Sequence, residues 1–283
     1  AEVHIQGNNI KTYHYSNKIE LKEGQNIIEL AYDYDIDDMS SMFENCSSII
    51  SINFTNLTTS SVTTMKNMFS NCYSLESLDL SNLNTSSVTT MENMFGDCSS
   101  LKSLDLSNFD TLNVINMVNM FSSCTSLESL KISSNFVTSN VTNMTFMFYH
   151  CESLVSLDLS NFDTRNVEDM FQMFSGCTAI KSLNLSSFHT PKLKKMDGIF
   201  WACKSLETLD ISNFNTRNVN TSIWPIYDTK NLKYINLWKY EGNDIFDLGQ
   251  KYDYNNLVVC IPNYLGINNG DNMLNNKNVE NNC

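Results

Sequence analysis

Seven of the nine cysteines recur at intervals of 26 residues, with a single interval of 27. They are Cys46, Cys72, Cys98, Cys124, Cys151, Cys177 and Cys203. Thiolates bind zinc and act as redox nucleophiles, so the series first suggests a metal or redox array. In a stacked repeat, however, these sulfurs would lie in a line, which cannot surround a tetrahedral zinc ion. We therefore predict buried thiols that pack as small apolar groups, with no bound cofactor.

Cys260 and Cys283 lie outside this series, 23 residues apart near the C-terminus. We predict a disulfide between them if the protein resides in an oxidising compartment. The odd total of nine cysteines leaves at least one thiol without a partner within the chain.

The methionines and histidines do not form a recognisable metal-binding or catalytic site. Thirteen of the 14 methionines fall in two slots of the repeat, a distribution typical of core packing rather than of copper binding. His4, His14, His150 and His189 are scattered, with no Cys/His or Ser/His/Asp arrangement, and the chain has no glycine-rich phosphate loop. We therefore do not predict an enzyme.

The residues between the cysteines predict how each repeat, here called a rung, folds. Met, Met, Phe and Cys stand at i, i+3, i+4 and i+7, as in Met65–Cys72, which predicts two turns of helix. Thr64, just before it, is of a type that caps helix N-termini. Leu75, Leu78 and Leu80 follow the cysteine, and the last two share one face of a predicted strand.

This pattern predicts an α/β repeat solenoid with a parallel sheet, in which each rung is a short helix plus a strand. About eight rungs of 26 residues stack over residues 38–240, because one rung cannot bury its apolar face alone. We number the rungs one to eight by the residue that ends the predicted helix, from Cys46 to Thr229. The eighth rung is degenerate, since Thr229 replaces the cysteine, as expected at the end of a stack.

The two ends of the chain predict caps. Residues 1–37 contain alternating runs at Lys18–Leu21 and Asn26–Ala31, which predict a β-hairpin cap. Residues 241–283 are rich in Asn and Gly and predict a C-terminal cap that ends in a linker, with a strand at Leu257–Ile261.

The repeated phrase Met-x-x-Met-Phe-x-x-Cys-x-Ser-Leu-x-Ser-Leu-Asp-Leu-Ser-Asn-Phe-Asp-Thr resembles the BspA-like leucine-rich repeats of bacterial and protist surface proteins. The resemblance covers about residues 38–240. It implies a right-handed leucine-rich-repeat solenoid that is secreted or exposed on cells and acts as an adhesin. The family supplies no catalytic residues, so none are assigned on this basis.

The residue between the two inward leucines of each strand is predicted to point away from the core. From rung one to rung eight it is Asn53, Asp79, Asp105, Lys131, Asp158, Asn184, Asp210 and Asn236. Stacked aspartates repel each other, and a cation, Lys131 or water could relieve the repulsion. In rung eight, Tyr234 and Trp238 flank this slot, either as a platform for a protein or sugar or as rings covered by the C-terminal segment. The candidate binding face is therefore Asp79, Asp105, Lys131, Asp158, Asp210, Tyr234 and Trp238.

The amino-acid composition limits the classes of partner that the chain could bind and the compartments in which it could reside. The net charge of −13 argues against nucleic acid, and no apolar stretch is long enough to span a membrane. The first residue, Ala1, suggests a processed or excerpted chain. Eight Asn-x-Ser/Thr sites are candidates for N-glycosylation, although the Asn, Ser and Thr content alone predicts about as many. They are Asn45, Asn53, Asn56, Asn84, Asn140, Asn143, Asn184 and Asn220.

We therefore predict a secreted or cell-surface recognition module that binds an extracellular protein or glycan. The alternative is a structural subunit of an extracellular filament, coat or surface assembly, since exposed sheet ends favour growth. The predicted caps at both ends favour the discrete module.

Overall fold

A computed structural model of the chain describes residues 2–6, 11–14, 27–31, 36–54, 57–219, 226–237, 257–260 and 278–280. Within them the chain forms twelve strands joined by turns, and no helix. The strands are β1 (Glu2–Gln6), β2 (Lys11–His14), β3 (Ile27–Ala31), β4 (Ser51–Asn53), β5 (Ser77–Asp79), β6 (Ser103–Leu106), β7 (Ser129–Ile132), β8 (Ser182–Asn184), β9 (Thr208–Asp210), β10 (Tyr234–Asn236), β11 (Val258–Cys260) and β12 (Asn278–Glu280).

Strands β4 to β12 stack in parallel, which confirms the predicted solenoid with a parallel sheet. Pairing follows the repeat, so that Ser51 lies opposite Ser77 and Leu104 lies opposite Leu130. The hydrogen-bonded groups are β4–β5, β6–β7 and the five-stranded sheet β12-β11-β10-β9-β8. No strand forms at residues 155–158, where rung five should supply one, although the leucine pattern continues there.

The predicted short helix is wrong, and a run of turns stands in its place. In Met65–Cys72, the N–H of Met68 bonds back three residues to Met65, not four as in an α-helix. Alternate N–H groups leave the rung instead: Phe69 donates to the carbonyl of Met94 in the next rung at 2.8 Å. Asn67 adopts a left-handed φ of 55° and Asn71 one of 62°, which a continuous helix excludes.

The residue predicted as a helix cap forms a β-bridge to the next rung instead. The bridges run in one continuous series: Asp38–Thr64, Thr64–Thr90, Thr90–Asn116, Asn116–Asn143, Asn143–Asp169 and Asp169–Lys195. The expected side-chain acceptor is still used, because Oδ1 of Asn116 accepts a hydrogen bond from the N–H of Val118 at 3.0 Å. It closes a turn rather than a helix. The rungs are thus tied together more continuously along this side than along the strands.

The core is a single cluster of buried apolar side chains that runs along the stack. Two columns of phenylalanine rings pass through it, with adjacent rings close to parallel. The column that includes Phe69 and Phe95 has centroid spacings of 5.3–5.8 Å, and the column from Phe136 to Phe214 has spacings of 5.9–6.2 Å. Each ring therefore packs against the same residue of the neighbouring rung, which is the burial that one rung lacks alone.

A column of buried threonines forms a second link between rungs that the sequence did not reveal as structural. Its members are Thr59, Thr85, Thr111, Thr138, Thr164, Thr190 and Thr216, each at most 2% exposed. Oγ1 of Thr138 donates to the carbonyl of Asp163 at 2.9 Å and accepts from its N–H at 2.8 Å. Thr111 bonds to Val137, one residue further along than in the other rungs, which places the extra residue of the 27-residue interval in the loop before Val137.

The chain ends also form strands. Near the N-terminus, β2-β1-β3 is an antiparallel sheet; β3 lies in the predicted run Asn26–Ala31, whereas Lys18–Leu21 lies outside the described residues. Near the C-terminus, β11 lies in the predicted strand Leu257–Ile261, and β12 extends the same parallel sheet within the segment expected to be a cap and linker. The boundaries of the two caps stay predictions.

Candidate functional site

The aspartates of the candidate binding face close a turn at the end of each strand. Oδ1 of Asp79 accepts a hydrogen bond from the N–H of Ser81 at 3.0 Å, and Asp158 bonds to Ser160 at 2.9 Å in the same way. Hydrogen bonds from these serines lower the pKa of both carboxyl groups below the ordinary value. Both aspartates remain exposed, so they shape the turn and still present charge to solvent.

Lys131 interrupts the acidic row and pairs with the aspartate of the preceding rung. Its Nζ lies 2.8 Å from Oδ2 of Asp105, and both side chains are more than half exposed. Together with a hydrogen bond from Ser107, this contact lowers the pKa of Asp105 to about 2. Lys131 therefore offsets the negative charge of Asp105 within the row.

The end of the candidate face near rung eight is less open. Asp210 and Tyr234 are half-buried, and Asn236 donates a hydrogen bond to Oδ2 of Asp210 at 3.0 Å, while Ser212 donates to Oδ1. Trp238 lies outside the described residues. The face thus separates into an exposed charged part, from Asp79 to Asp158, and a half-buried part at rungs seven and eight.

The cysteines of the repeat are free thiols with a structural role. Sγ of Cys98 donates to the backbone carbonyl of Phe69 in the previous rung at 3.3 Å, and each repeat cysteine from Cys72 onward makes the equivalent bond. Burial raises the pKa of Cys72, Cys124 and Cys177 to about 12, which keeps these thiols protonated. Among the described residues, no three His, Cys, Asp or Glu side chains come together as a metal site.

A cluster of aromatic side chains lies on the turn segments of rungs five to seven and was missed at the sequence level. The Phe146 ring lies 5.2 Å from Phe171 and 5.0 Å from Tyr149, and Tyr149 lies 4.4 Å from the ring of His150. These rings are partly exposed, and Trp201 in rung seven is 43% exposed. We call Phe146, Tyr149, His150, Phe171 and Trp201 the aromatic band.

Two members of the aromatic band, Phe146 and Tyr149, replace smaller residues of the repeat, which is the signal that could have revealed them. The slot of Phe146 holds asparagine in three earlier rungs: Asn67, Asn93 and Asn119. The slot of Tyr149 holds Ser70, Gly96 and Ser122. In the early rungs the asparagines bond to one another, with Nδ2 of Asn93 lying 3.1 Å from Oδ1 of Asn67. In rung five the Phe146 ring stands where this amide ladder would continue, and Gln172 and Gly198 follow in the same slot.

The local backbone accommodates the rings at a cost. Phe146 adopts a left-handed φ of 57°, a conformation that asparagine tolerates better than an aromatic residue and that costs about 1–2 kcal/mol. Glycine makes room in the next rungs: a Cβ on Gly176 would lie 3.0 Å from the imidazole of His150. One on Gly198 would lie 3.1 Å from the side chain of Gln172 and at an ordinary contact distance of 3.4 Å from Trp201. Both glycines also have left-handed φ values, 79° and 61°, and at Gly176 the imidazole of His150 limits the space as well.

The candidate modification sites are placed unevenly. Asn45, Asn84, Asn140 and Asn184 are exposed, and Asn143 is half-buried. The side chain of Asn53, and the whole of Asn56 and Asn220, lie outside the described residues. Cys260 in β11 is buried and disulfide-bonded, whereas its predicted partner Cys283 lies outside the described residues, so the pairing stays a prediction.

Comparisons with known proteins give one family and a remote structural likeness. The model of the family described as "Mycoplasma protein of unknown function, DUF285" matches residues 37–153 and 128–238. A crystal structure of a leucine-rich repeat protein from Bacteroides ovatus is 15% identical, with 92% of this chain and 75% of that chain covered and a TM-score of 0.36. No curated protein matches the sequence. In the described part of the chain, no helix is long and apolar enough to cross a membrane.

Proposed function

From the premise that the chain belongs to the family described as "Mycoplasma protein of unknown function, DUF285", we propose that it is a recognition module. Its solenoid surface would bind an extracellular protein or a glycan. The family description assigns no activity, so the proposal rests on the geometry of the rungs. The finer relationship to BspA-like surface proteins is part of this proposal.

One observation supports a binding role: the rungs keep the same interior while their outward side chains differ. Met, Met, Phe and Cys are buried in rung after rung, and the buried threonines recur without exception from Thr59 to Thr216. Outward slots instead change from Asp105 to Lys131 along the strands, and from Asn119 to Phe146 along the turns. A scaffold that is constant inside and variable outside is typical of repeat proteins that bind partners through an extended surface.

The proposed compartment is the cell surface or the extracellular medium. The net charge of −13 and the exposed aspartates make an acidic nucleic-acid partner unfavourable. Solenoids of this kind are typically non-enzymatic, and we assign no enzymatic activity to the chain. Secretion would also provide the oxidising conditions in which the disulfide of Cys260 persists.

A binding screen with a charge-neutral variant tests this proposal. The probe is the purified chain, applied to immobilised extracellular matrix proteins, cell-surface proteins and glycans. The variant carries Asp79→Asn, Asp105→Asn and Asp158→Asn, which keeps the turn because Asn184 closes the same turn by accepting from Ser186 at 3.1 Å. We expect the chain to bind at least one partner, and the variant to lose affinity if the strand face is used. A chain that binds none of these molecules contradicts the recognition role.

A second candidate, a subunit of an extracellular filament or coat, is favoured by the edge of the sheet. In the described residues, β12 (Asn278–Glu280) pairs with β11 on one side and with no strand on the other. An open edge of this kind can pair with a second chain. Electron microscopy and light scattering over a concentration series distinguish the two candidates. Regular filaments of the purified chain would support the structural role, and a monomer at all concentrations would contradict it.

A further inference from the structure

The aromatic band is less favourable for stability than the residues it replaces. Phe146 occupies a left-handed slot where Asn119 stands one rung earlier. Beside it, Oγ1 of Thr145 is buried and makes no hydrogen bond in the described part of the chain. Partly exposed rings, a left-handed aromatic residue and an unsatisfied buried hydroxyl therefore occur together. Such a combination is characteristic of a binding site rather than of a stabilising contact.

Three backbone N–H groups beneath the band are already bonded to the next rung, so they are not available to a peptide strand. The N–H of Phe146 donates to the carbonyl of Phe171 at 2.9 Å, and that of His150 donates to Ser175 at 2.7 Å. The N–H of Gly176 donates to Trp201 at 2.7 Å. Strand addition requires unpaired backbone donors and acceptors, so a partner at this surface must be recognised by side chains.

Two lysines beside the band form ion pairs with carboxylates of the preceding rung. Nζ of Lys194 lies 2.6 Å from Glu168, and Lys195 lies 3.5 Å from Asp169. Within the band itself, Nδ1 of His150 lies 3.0 Å from Oε1 of Glu152. The positive charge of these lysines is therefore offset by carboxylates, which makes the surface unsuited to an anionic partner and favours an uncharged one.

We propose that the aromatic band binds an uncharged glycan. This inference rests on the proposed recognition function and assigns it a site and a ligand class. The C–H faces of pyranose rings would pack on Phe146, Phe171 and Trp201. The amide of Gln172 and the hydroxyl of Tyr149, which make no side-chain hydrogen bonds in the described residues, would bind sugar hydroxyls. Rings that stack and side chains that donate and accept hydrogen bonds together match a ligand with apolar faces and a polar rim.

The test uses a variant that restores the repeat. Phe146→Asn combined with Tyr149→Ser installs residues that other rungs carry in the same slots, so this variant should fold with a thermal midpoint equal to or above that of the parent. Parent and variant are titrated with neutral oligosaccharides of glucose, galactose, mannose and N-acetylglucosamine, and with sialylated analogues. We expect the parent to bind a neutral oligosaccharide, and the variant to bind it about tenfold more weakly or less.

A matched control shows whether removing an exposed ring elsewhere on the protein also weakens glycan binding. Tyr73 is 48% exposed in rung two, away from the band, and Tyr73→Ala should leave binding unchanged. Failure of the parent to bind any neutral glycan overturns the inference, as does equal binding by the restored variant or a preference for sialylated glycans. If the parent instead binds a protein, and the restored variant binds it equally well, the proposed glycan site is contradicted, whereas the proposed recognition function is supported.

Discussion

The thiol of Cys124 donates a hydrogen bond to the backbone carbonyl of Phe95 in the preceding rung, with an Sγ–O distance of 3.2 Å. Both residues are fully buried. The same carbonyl also accepts the N–H of Cys98 at 3.2 Å, so the thiol supplies its second hydrogen bond and links the two rungs. Cysteine suits the slot because it is small, largely apolar and still a weak donor.

Native thiol labelling should distinguish the repeat cysteines by burial. Burial raises the pKa of all seven repeat cysteines, but Cys46 is only half-buried, whereas those from Cys72 to Cys203 are fully buried. We expect iodoacetamide to modify Cys46 alone among the repeat cysteines at neutral pH, and all seven after denaturation. Mass spectrometry of tryptic peptides gives the sites. Rapid native labelling of two or more buried repeat cysteines would contradict the packing described above.

The raised thiol pKa values predict loss of stability at alkaline pH. The folded-state pKa of Cys124 is about 12, above the ordinary value of 9.0, so the folded state binds the proton more tightly than the unfolded state. Its stabilising contribution is complete below pH 9 and is lost as pH rises towards 12. We expect the thermal midpoint to fall between about pH 9 and about pH 11. Cys124→Ala should show a shallower fall, since tyrosines and lysines titrate equally in both proteins.

The threonine column should be sensitive to loss of its hydroxyls. Thr138→Val preserves shape but leaves the N–H and carbonyl of Asp163 without their partner, which should lower the free energy of unfolding by about 2–4 kcal/mol. Chemical denaturation provides the measurement. Thr142→Val is the matched control, since its exposed hydroxyl makes only a 3.4 Å contact with Ile115, and it should cost less than about 0.5 kcal/mol. Equal effects of the two substitutions would contradict the role of the column.

The stacking of rungs could be predicted from the sequence, whereas the conformation of the turn segments could not. Recurrence of Met65, Met68, Phe69 and Cys72 specifies which side chains share a buried face, and that is enough to predict the solenoid. The same spacing fits either a helix or a series of turns. What decides between them is hydrogen bonding to the next rung, such as Phe69 to Met94, which becomes available only after stacking.

A sequence signal for the turns was nevertheless present. The slots one and five residues before each cysteine adopt left-handed φ values, and in rung two they hold Asn71 and Asn67. Asparagine is the non-glycine residue most compatible with this conformation. By contrast, nothing in the leucine pattern of rung five predicts the absence of a strand at residues 155–158. The aromatic band was missed because Phe146 and Tyr149 fall between slots whose regularity had defined the repeat.

The pair formed by Asp105 and Lys131 should be visible in carboxyl titrations. The pKa of Asp105 is about 2, so the small stability it contributes is complete above the ordinary value of 3.8 and is lost as pH falls towards 2. Lys131→Met should move the NMR titration midpoint of Asp105 upward. Asp158 is the internal control, because it occupies the same slot and its pKa is lowered by Ser160 rather than by a lysine. A common shift of both aspartates would mean a general charge effect instead of this contact.

The predicted disulfide between Cys260 and Cys283 should secure the last strands of the sheet. Cys260 is disulfide-bonded and 1% exposed, in β11, which pairs with β10 on one side and β12 on the other. A peptide map without reduction should recover the two cysteines linked, and Cys283→Ser should leave Cys260 open to labelling after denaturation. Closing a loop of this length stabilises the folded state by about 3 kcal/mol, so reduction should speed hydrogen exchange in Val258–Cys260. The matched strand Thr208–Asp210 should be unaffected, and a free Cys283 thiol in the unreduced protein would disprove the pairing.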